Sequence, residues 1–415
     1  MIPEVKKTYW KFRINERDDL TLEEWKERIL NQLTDTVRMM KRGTYGGGAF
    51  LSGGLDSSIV VALQTRWGCD SIPTFSIGFE ESQFNELDFA EAISDRFGTD
   101  QFQEIVNPDA ADELNNLVEC FDEPYSDPSA LPSLLVARLA SRHVAGVFSG
   151  DGGDECFAGY ARQLHDLKED SFRRMFPQFI RCGLFGPLGK IYPKLDSLPR
   201  FLRFRTAFQN LAMSAAEAYA NTLSFCRNPL RRRLLRPTMQ MKNYTPSDID
   251  ARRIEAFHLT PTGDTLAGMQ MAEVLVGLPE AMVKVDRTTM SCGLEVRSPF
   301  LDTKVLDLAA QLPSRFKIED GMGKWILRQI FESQFPTKVK SRPKQGFELP
   351  TDIWLRGPLS GVFRDEVLSK SSPIANWIDP SVAEQLFRDH QNRRGNHGGN
   401  LWALLILAKW LRRWN

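Results

Sequence analysis

The strongest structural signal in this 415-residue chain is the run Ala49-Phe50-Leu51-Ser52-Gly53-Gly54-Leu55-Asp56-Ser57-Ser58-Ile59-Val60-Val61-Ala62-Leu63. A short apolar segment ends in two glycines, and hydroxyl residues and one acid then precede apolar residues at helical spacing. This order of residue types predicts a buried strand, a tight turn and the start of a helix.

The turn in this run is suited to holding an anion. Gly53 and Gly54 place no side chain between their backbone N–H groups and a ligand, and the N-terminus of the predicted helix adds further donors. Asp56 would repel a bare phosphate, so its position indicates a Mg²⁺ ion between it and a pyrophosphate. No lysine is present, which distinguishes the turn from the GxxxxGK[ST] phosphate loop. The alternative is an ordinary glycine turn with Asp56 at a helix start.

The composition limits the class of protein. The chain has 42% hydrophobic residues and 53 basic against 53 acidic residues, which predicts one large or two ordinary domains and argues against a general binder of nucleic acids or membranes. The six cysteines lack CxxC spacing and form no ligand cluster with the five histidines, so we expect reduced thiols and no structural zinc. The N-terminal residues lack an apolar secretory core, and the late apolar run at 401–408 is too short to span a bilayer. A cytoplasmic protein is expected.

Strands and helices alternate in the first part of the chain. After the glycine turn and its helix, the patterns predict strands over 73–79 and 101–106 and a helix over 86–97. Such alternation predicts an α/β fold with a parallel sheet, whose ligand lies beyond the carboxyl ends of the strands. We divide the chain into a linker stub over 1–20, a nucleotide-binding α/β core over about 21–165 and a mainly helical substrate-side region over 166–415.

A second glycine-rich turn repeats this arrangement. The apolar segment Val144-Ala145-Gly146-Val147-Phe148 leads into Ser149-Gly150-Asp151-Gly152-Gly153-Asp154-Glu155. Crowded carboxylates repel one another unless they share a cation, which again indicates Mg²⁺. Taken alone, this turn could equally be a solvated acidic loop. Asp56 and Asp154, each at a glycine-rich strand end, together favour one composite site for a nucleotide and a metal ion.

The later part of the chain carries weaker signals. The basic stretch 181–236 is either a nucleic-acid patch or the solvated face of a helical region, and the neutral charge of the chain favours the second interpretation. Helices are predicted over 272–291, with a break near Leu278-Pro279, over 324–331 and over 401–414. The loop at 341–347 is too polar to be buried without a ligand.

Six motifs follow one another along the chain: Ser52–Ser58, Asp122-Glu123-Pro124, Ser149–Glu155, Lys284-Val285-Asp286-Arg287, Leu294–Asp302 and Lys324-Trp325-Ile326-Leu327-Arg328. In this order they resemble the synthetase half of glutamine-hydrolysing asparagine synthetases, over nearly the whole chain. The resemblance implies an adenine-nucleotide alpha-hydrolase-like core of the ATP-pyrophosphatase (HUP) type with a helical C-terminal part. It also implies an ATP- and Mg²⁺-dependent amidation, with aspartate as the expected acid, that passes through an acyl-adenylate and releases AMP and pyrophosphate.

The resemblance also implies roles for individual residues. The pyrophosphate would be held by Ser52, Gly53, Gly54, Asp56, Ser57 and Ser58. The adenosine would be flanked by Leu51, Ile77, Ser149 and Gly150. Asp56 and Asp154 would hold Mg²⁺, and Lys324 would neutralise charge as the carboxylate attacks the α-phosphate, where the alternative is a lysine on a helix surface. Asp151 is a candidate catalytic residue, although the family usually carries glutamate there, which is one methylene longer.

The nitrogen source is expected to be free ammonia or an amine. The chain starts Met1-Ile2-Pro3 where the family would leave its glutaminase domain, so we expect that domain and its cysteine nucleophile to be absent. The first cysteine, Cys69, is expected to pack at the end of a helix. A separate glutaminase docking near Tyr9-Trp10 could deliver ammonia. The sequence leaves the oligomeric state open, with a homodimer among the possibilities.

Other functions are compatible with these motifs. A relative could amidate a different carboxylic acid or close a lactam, as β-lactam synthetases do. A tRNA-modifying ATP-pyrophosphatase would use the basic stretch 181–236 to bind RNA, but nucleic acid and membrane are not the expected partners. A binding module without activity is a third alternative, against which the combination of Asp56, Asp154 and Lys324 argues.

Overall fold

A computed structural model of the chain describes residues 8–42, 47–66, 71–106, 111–192, 204–237, 248–260, 263–340 and 349–414. The described strands are β1 (Gly48–Phe50), β2 (Pro73–Phe79), β3 (Asp100–Val106), β4 (Gly146–Phe148), β5 (Glu295–Arg297), β6 (Ile318–Glu319) and β7 (Met322–Gly323). The first five form a parallel sheet in the order β3-β2-β1-β4-β5, and β6 and β7 form an antiparallel hairpin. The prediction of an α/β fold with a parallel sheet is confirmed.

Helices account for most of the remaining structure. In the first half they are α1 (Leu22–Lys41), α2 (Leu55–Thr65), α3 (Leu87–Phe97), α4 (Ala111–Glu119), α5 (Ala130–Ser141), α6 (Gly153–Phe157), α7 (Ala161–Arg174), α8 (Gln178–Ile180), α9 (Gly186–Ile191), α10 (Arg205–Ala212) and α11 (Ala215–Leu223). In the second half they are α12 (Asn228–Leu234), α13 (Asp248–Phe257), α14 (Thr265–Ala272), α15 (Leu278–Met290), α16 (Thr303–Gln311), α17 (Ser314–Lys317), α18 (Trp325–Phe331), α19 (Thr337–Lys340), α20 (Thr351–Arg356), α21 (Leu359–Phe363), α22 (Pro380–Gln391) and α23 (Gly398–Trp414).

The sheet order places the two glycine-rich turns side by side. Ala49 of β1 lies opposite Thr74 of β2 on one side and Phe148 of β4 on the other. Along the chain, β2 and β3 therefore extend the sheet on one side of β1, and β4 and β5 then extend it on the other side. In open α/β sheets the ligand crevice lies where the strand order reverses in this way. Both glycine-rich turns follow directly from these two strands.

Apolar side chains cover both faces of the sheet. Val147 belongs to one buried cluster with Phe75 and Ile77, whereas the next residue, Phe148, belongs to a second cluster with Ala49. Successive side chains of a strand point to opposite faces, so these two clusters lie on opposite sides of the sheet. Parallel sheets are normally buried in this way, which explains why β1 and β4 are continuous apolar runs.

The N-terminal part of the structure is well specified by local signals. Helix α1 begins with a capping box, in which the Glu24 N–H donates to the Thr21 hydroxyl (3.3 Å) and the Thr21 N–H donates to the Glu24 carboxylate (2.8 Å). Within the stub predicted over 1–20, the described residues 8–20 lie along α16. The Trp10 indole N–H donates to Asp307 (3.0 Å), and the Asn15 N–H donates to the Ala310 carbonyl (3.0 Å).

The helix predicted over 272–291 begins earlier and contains a π-helical turn. Helix α14 continues through the π-helical segment Glu273–Gly277 into α15, which carries Pro279 in its first turn. Proline lacks a backbone N–H, so a change of helical pattern just before it avoids an unsatisfied carbonyl. By length and composition, 265–290 is the one segment of the described chain that could cross a membrane, but 56% of its most apolar window is buried within the protein.

A buried histidine couples the stability of the C-terminal region to pH. The His397 N–H donates to Nδ1 of His390 (3.1 Å), so Nε2 carries the proton and donates to the Asp352 carbonyl (3.0 Å). Burial and then the nearby Arg356 charge lower the pKa of His390 to about 4. The unfolded chain would bind this proton at a pKa of about 6.5, so stability that is present above pH 6.5 is lost as the pH falls toward 4.

We therefore expect His390 to contribute a loss of about 2 kcal/mol in the free energy of unfolding between pH 7 and pH 5. The measurement is urea denaturation of the wild type and of His390→Gln at both pH values. The wild type should lose more stability than the variant over this interval. His258→Gln, at an exposed histidine, is the matched control. Equal pH dependence in the wild type and His390→Gln would contradict the assignment.

Candidate active site

A cavity of about 760 Å³ lies at the carboxyl ends of β1 and β4. It is lined by both glycine-rich turns, by α15 and by the β6–β7 hairpin with the residues that follow it. The predicted site residues among its lining are Leu51, Ser52, Gly53, Gly54, Asp56, Ser57, Ile77, Ser149, Gly150, Asp151, Asp154 and Lys324. Ser58 differs from these residues because it is fully buried and does not line the cavity. The structure thus brings together all but one of the predicted positions.

The first glycine-rich turn is closed by its own hydroxyl groups. The hydroxyl oxygens of Ser52 and Ser57 lie 3.2 Å apart, the Gly54 N–H donates to the Ser52 hydroxyl (3.2 Å), and the Ser57 hydroxyl donates to the Gly54 carbonyl (3.2 Å). Helix α2 begins directly after Gly54. The turn therefore collects hydroxyls and backbone N–H groups at a helix N-terminus, which is the arrangement that binds phosphate groups.

The second turn packs directly against the first. A Cβ added to Gly153 would lie 2.5 Å from Oδ1 of Asp56, so only glycine allows the two turns to approach this closely. The Ser149 hydroxyl donates to Oδ2 of Asp151 (2.5 Å), which fixes the Asp151 carboxylate at the cavity wall. The apolar part of the wall includes Leu51 and Ile77, which are both buried.

Lys324 lies between the two aspartates. Its ammonium group contacts Oδ2 of Asp56 and lies 2.5 Å from Oδ1 of Asp154. The side chains of Lys324, Asp56 and Asp154 are 5%, 14% and 15% exposed. A Cβ at Gly159 would overlap both Lys324 and Asp154, so this glycine leaves the space through which the lysine reaches the acids. The alternative of a lysine on a helix surface does not describe this side chain.

The backbone of Lys324 is unusual. The residue precedes α18 and has φ = 55° and ψ = 32°, in the left-handed region, whereas the sequence pattern placed it within the helix. Its N–H donates to the Phe157 carbonyl (3.1 Å) at the end of α6. A non-glycine residue in this region carries a conformational cost and persists where its surroundings hold it, which occurs often at functional sites.

The charge of Lys324 is maintained despite its burial. Burial alone would lower the pKa of its ammonium group, but the charges of Asp154 and Asp56 outweigh that effect and raise the pKa. The two carboxylates consequently face one positive charge at all physiological pH values. Their oxygen atoms are also ligands of the kind that Mg²⁺ prefers, so Asp56 and Asp154 fit a site for this ion.

The sequence did not single out the roles of Glu155 and Tyr160. Tyr160 lines the cavity, and its hydroxyl donates to Oε1 of Glu155 (2.6 Å). The Arg162 guanidinium lies 3.5 Å from the centre of the Tyr160 ring. Burial, and then the nearby Asp154 charge, raise the pKa of Glu155 to about 7. Glu155 was visible only as one of three acids in a turn, and Tyr160 belongs to none of the motifs, so only the packing revealed the pair.

Helix α15 forms the opposite wall of the cavity. Lys284 lines the cavity, and its ammonium group donates to the Ser129 hydroxyl (2.8 Å) and lies 3.4 Å from Oδ2 of Asp127. The motif that contains Lys284 was recognised in the sequence without a role. Two other predictions from the sequence, the packing of Cys69 and the polar loop at 341–347, concern residues outside the described ranges.

The described part of the basic stretch 181–236 is only partly solvated. Arg181 donates to the Met213 carbonyl (2.8 Å), and Arg231 pairs with Asp250 (3.5 Å). Other members line a second cavity of about 1650 Å³ in the helical region, namely Arg205, Arg227, Arg232 and Arg233. Several arginines therefore serve internal contacts, which the sequence pattern could not distinguish from a solvated face.

Comparison with known proteins places this geometry in a family. The family model described as "Asparagine synthase" matches residues 28–412. The chain belongs to the asparagine synthase family. This match confirms the predicted resemblance. It also confirms the predicted adenine-nucleotide alpha-hydrolase-like core, because the five-stranded parallel sheet of the described residues is of that type.

Individual relatives of the asparagine synthase family match over most of this chain. "Asparagine synthetase [glutamine-hydrolyzing] 1" of Bacillus subtilis (strain 168) is 29% identical over 412 residues, which cover 97% of this chain and 62% of the relative. A relative from Mycobacterium bovis is 32% identical over 391 residues, which cover 92% of this chain and 57% of the relative. The chain thus spans about three fifths of the length of these curated relatives.

Proposed function

We propose that the protein is an ATP- and Mg²⁺-dependent carbon–nitrogen ligase that activates a carboxylic acid as an acyl-adenylate and transfers it to ammonia. The observation that carries the proposal is the position of Lys324, buried between Asp56 and Asp154 where the two glycine-rich turns meet. A protein that only bound a nucleotide would not need a buried cation beside two acids. Family membership and the names of the relatives support the same reaction class.

We expect ATP to bind in the cavity in one orientation. The first glycine-rich turn offers hydroxyls, backbone N–H groups and a helix N-terminus to the pyrophosphate through Ser52, Gly53, Gly54 and Ser57. The adenosine would lie against the apolar wall with Leu51 and Ile77, next to Ser149 and Gly150. Ser58 would support the turn from within the core, since its side chain does not reach the cavity lining.

The charges in the site suit adenylate formation. Asp56 and Asp154 would hold Mg²⁺, which when bound neutralises phosphate charge and polarises the phosphoryl group. A carboxylate oxygen of the substrate attacks the α-phosphorus, the bond to the bridging oxygen of the pyrophosphate breaks, and pyrophosphate leaves. Lys324 would offset the negative charge that shifts onto the phosphates during this step. When the nucleotide binds, before this step, the Lys324 ammonium group would turn from Asp56 and Asp154 toward the phosphate oxygens.

Amide formation follows at the same place. Ammonia attacks the acyl carbon, AMP departs as a stable leaving group, and the nitrogen loses a proton. Asp151, which accepts a hydrogen bond from the Ser149 hydroxyl at the cavity wall, would face the acyl-adenylate or the incoming nitrogen. We assign the aspartate side chain as the acid, which would make asparagine the product. Amidation or lactam closure of another carboxylic acid would use the same activating residues.

The partners follow from this reaction. The substrates would be ATP, a small carboxylic acid and ammonia or an amine. A separate glutaminase that docks near the exposed Tyr9 and its neighbour Trp10 would be a source of ammonia. We place the protein in the cytoplasm, where these small molecules are available.

The test is acid-dependent exchange of labelled pyrophosphate into ATP. With Mg²⁺ and aspartate, the purified chain should exchange pyrophosphate at least tenfold faster than without an acid. A panel of other small carboxylic acids separates aspartate from alternative substrates. Asparagine formation should occur with ammonium and not with glutamine alone. Absence of exchange with every acid would favour a binding module, and equal amidation from glutamine alone would contradict the proposed nitrogen source.

A further inference from the structure

Three potential metal ligands lie together on α7, apart from the candidate active site. His165, Asp166 and Glu169 each offer one ligand atom, and these atoms lie within 4.8 Å of one another. They occupy positions i, i+1 and i+4 of the helix, which places the histidine and the glutamate on the same face. None of the three lines the 760 Å³ cavity.

Asp166 and Glu169 each have a buried carboxylate oxygen without a hydrogen bond. Asp166 is 3% exposed and the Glu169 side chain is 8% exposed. Oδ2 of Asp166 and Oε1 of Glu169 accept no hydrogen bond from the described residues. The distance of 3.6 Å between Nδ1 of His165 and Oε1 of Glu169 is too long for one. Burial of a carboxylate oxygen without a hydrogen bond costs free energy unless a cation coordinates the oxygen.

The second carboxylate oxygen of Asp166 and that of Glu169 each accept a hydrogen bond from a side chain of another helix. The Thr222 hydroxyl donates to Oδ1 of Asp166 (3.1 Å), and the Asn210 amide donates to Oε2 of Glu169 (2.9 Å). Hydrogen bonds of this kind orient carboxylates that coordinate metal ions. The His165 side chain is 69% exposed, so its imidazole can rotate onto an ion that arrives from solvent.

The neighbouring arginines do not neutralise these acids. Arg173 pairs with Asp170 (2.7 Å), and Arg162 pairs with Glu273 (2.7 Å). Arg227, which also faces Glu169, donates to the Thr206 hydroxyl (2.9 Å). The two buried carboxylates therefore still repel each other, and a dication shared between them would remove that repulsion.

We propose that His165, Asp166 and Glu169 bind one first-row divalent metal ion, with Zn²⁺ as the best match. One imidazole nitrogen and two carboxylate oxygens are common Zn²⁺ ligands, and water would complete the tetrahedron. Tetrahedral ligand atoms lie about 3.4 Å apart at the usual Zn²⁺ distances, so small side-chain rotations close the site. The expectation of no structural zinc considered cysteine spacing and clusters of cysteines with histidines, whereas this site combines one histidine with two carboxylates.

The test is Zn²⁺ binding to the full chain after removal of metal ions, measured by isothermal titration calorimetry in excess Mg²⁺. The wild type should bind one equivalent of Zn²⁺ that His165→Ala and Asp166→Asn lose or bind 10- to 100-fold more weakly. His165 is exposed, so His165→Ala should fold normally. Co²⁺ substitution adds a spectroscopic signature, because a tetrahedral site absorbs visible light and the variant should lose that band.

A matched control replaces a histidine outside the cluster. His258 is exposed and directly follows α13, so His258→Ala should retain the Zn²⁺ equivalent and the Co²⁺ absorption. Absence of a Zn²⁺ equivalent in the wild type would overturn the proposal. Unchanged Zn²⁺ affinity in His165→Ala would also overturn it, whatever the adenylation activity of the chain.

Discussion

Lys324→Ala is expected to slow adenylate formation roughly 100- to 1,000-fold while ATP binding is largely retained. The ammonium group is buried between Asp56 and Asp154, and its charge is needed most when negative charge shifts onto the phosphates. The measurement is acid-dependent pyrophosphate exchange at saturating ATP, together with ATP affinity by calorimetry. A variant that lost only ATP affinity would assign Lys324 to binding of the ground state.

Stability must be measured alongside the Lys324 variant. Removal of the ammonium group leaves two poorly exposed carboxylates facing each other, so the free energy of unfolding should fall by roughly 3 kcal/mol. Lys409→Ala is the matched control, because the Lys409 side chain is 7% exposed, donates to Asn115 (2.9 Å) and pairs with Glu366 (3.6 Å) outside the cavity. Lys409→Ala should lose stability without a comparable loss of exchange rate. Similar exchange losses in both variants would indicate a general structural effect.

Asp56→Asn is expected to reduce exchange about 100-fold at saturating Mg²⁺, and more at limiting Mg²⁺. The amide has nearly the shape of the carboxylate but lacks its charge, so it coordinates a dication poorly. Of the two aspartates beside Lys324, Asp154 then remains as the charged one. The measurement is the exchange rate as a function of Mg²⁺ concentration. Near-normal turnover at limiting Mg²⁺ would show that the two glycine-rich turns do not form a shared metal site.

The control for Asp56→Asn is an equivalent substitution away from the cavity. Asp307 on α16 accepts a hydrogen bond from the Trp10 indole (3.0 Å), and an asparagine oxygen can accept the same bond. Asp307→Asn should leave the exchange rate and its Mg²⁺ dependence unchanged. A similar shift in both variants would point to a general effect of surface charge on Mg²⁺ binding.

Prediction from the sequence succeeded where the signal was local. The alternation of strands and helices depends on neighbouring residues, and the structure follows it. Strand β5 lies within the motif Leu294–Asp302 and was not predicted, because three residues are too few to show a periodicity. Its place in the sheet comes from pairing with β4, where Val296 lies opposite Val147.

The sequence by itself determined the residue types of the site and the two glycine-rich turns that carry them. Their chemistry is local, since glycines, hydroxyls and acids act on a ligand within a few residues of one another. Only the tertiary structure decided that β4 lies beside β1, that Lys324 crosses 268 residues to reach Asp56, and that Ser58 faces the core. These contacts between distant residues form because folding buries both faces of the sheet and brings opposite charges together. Neither burial nor charge pairing of this kind is present in an extended chain.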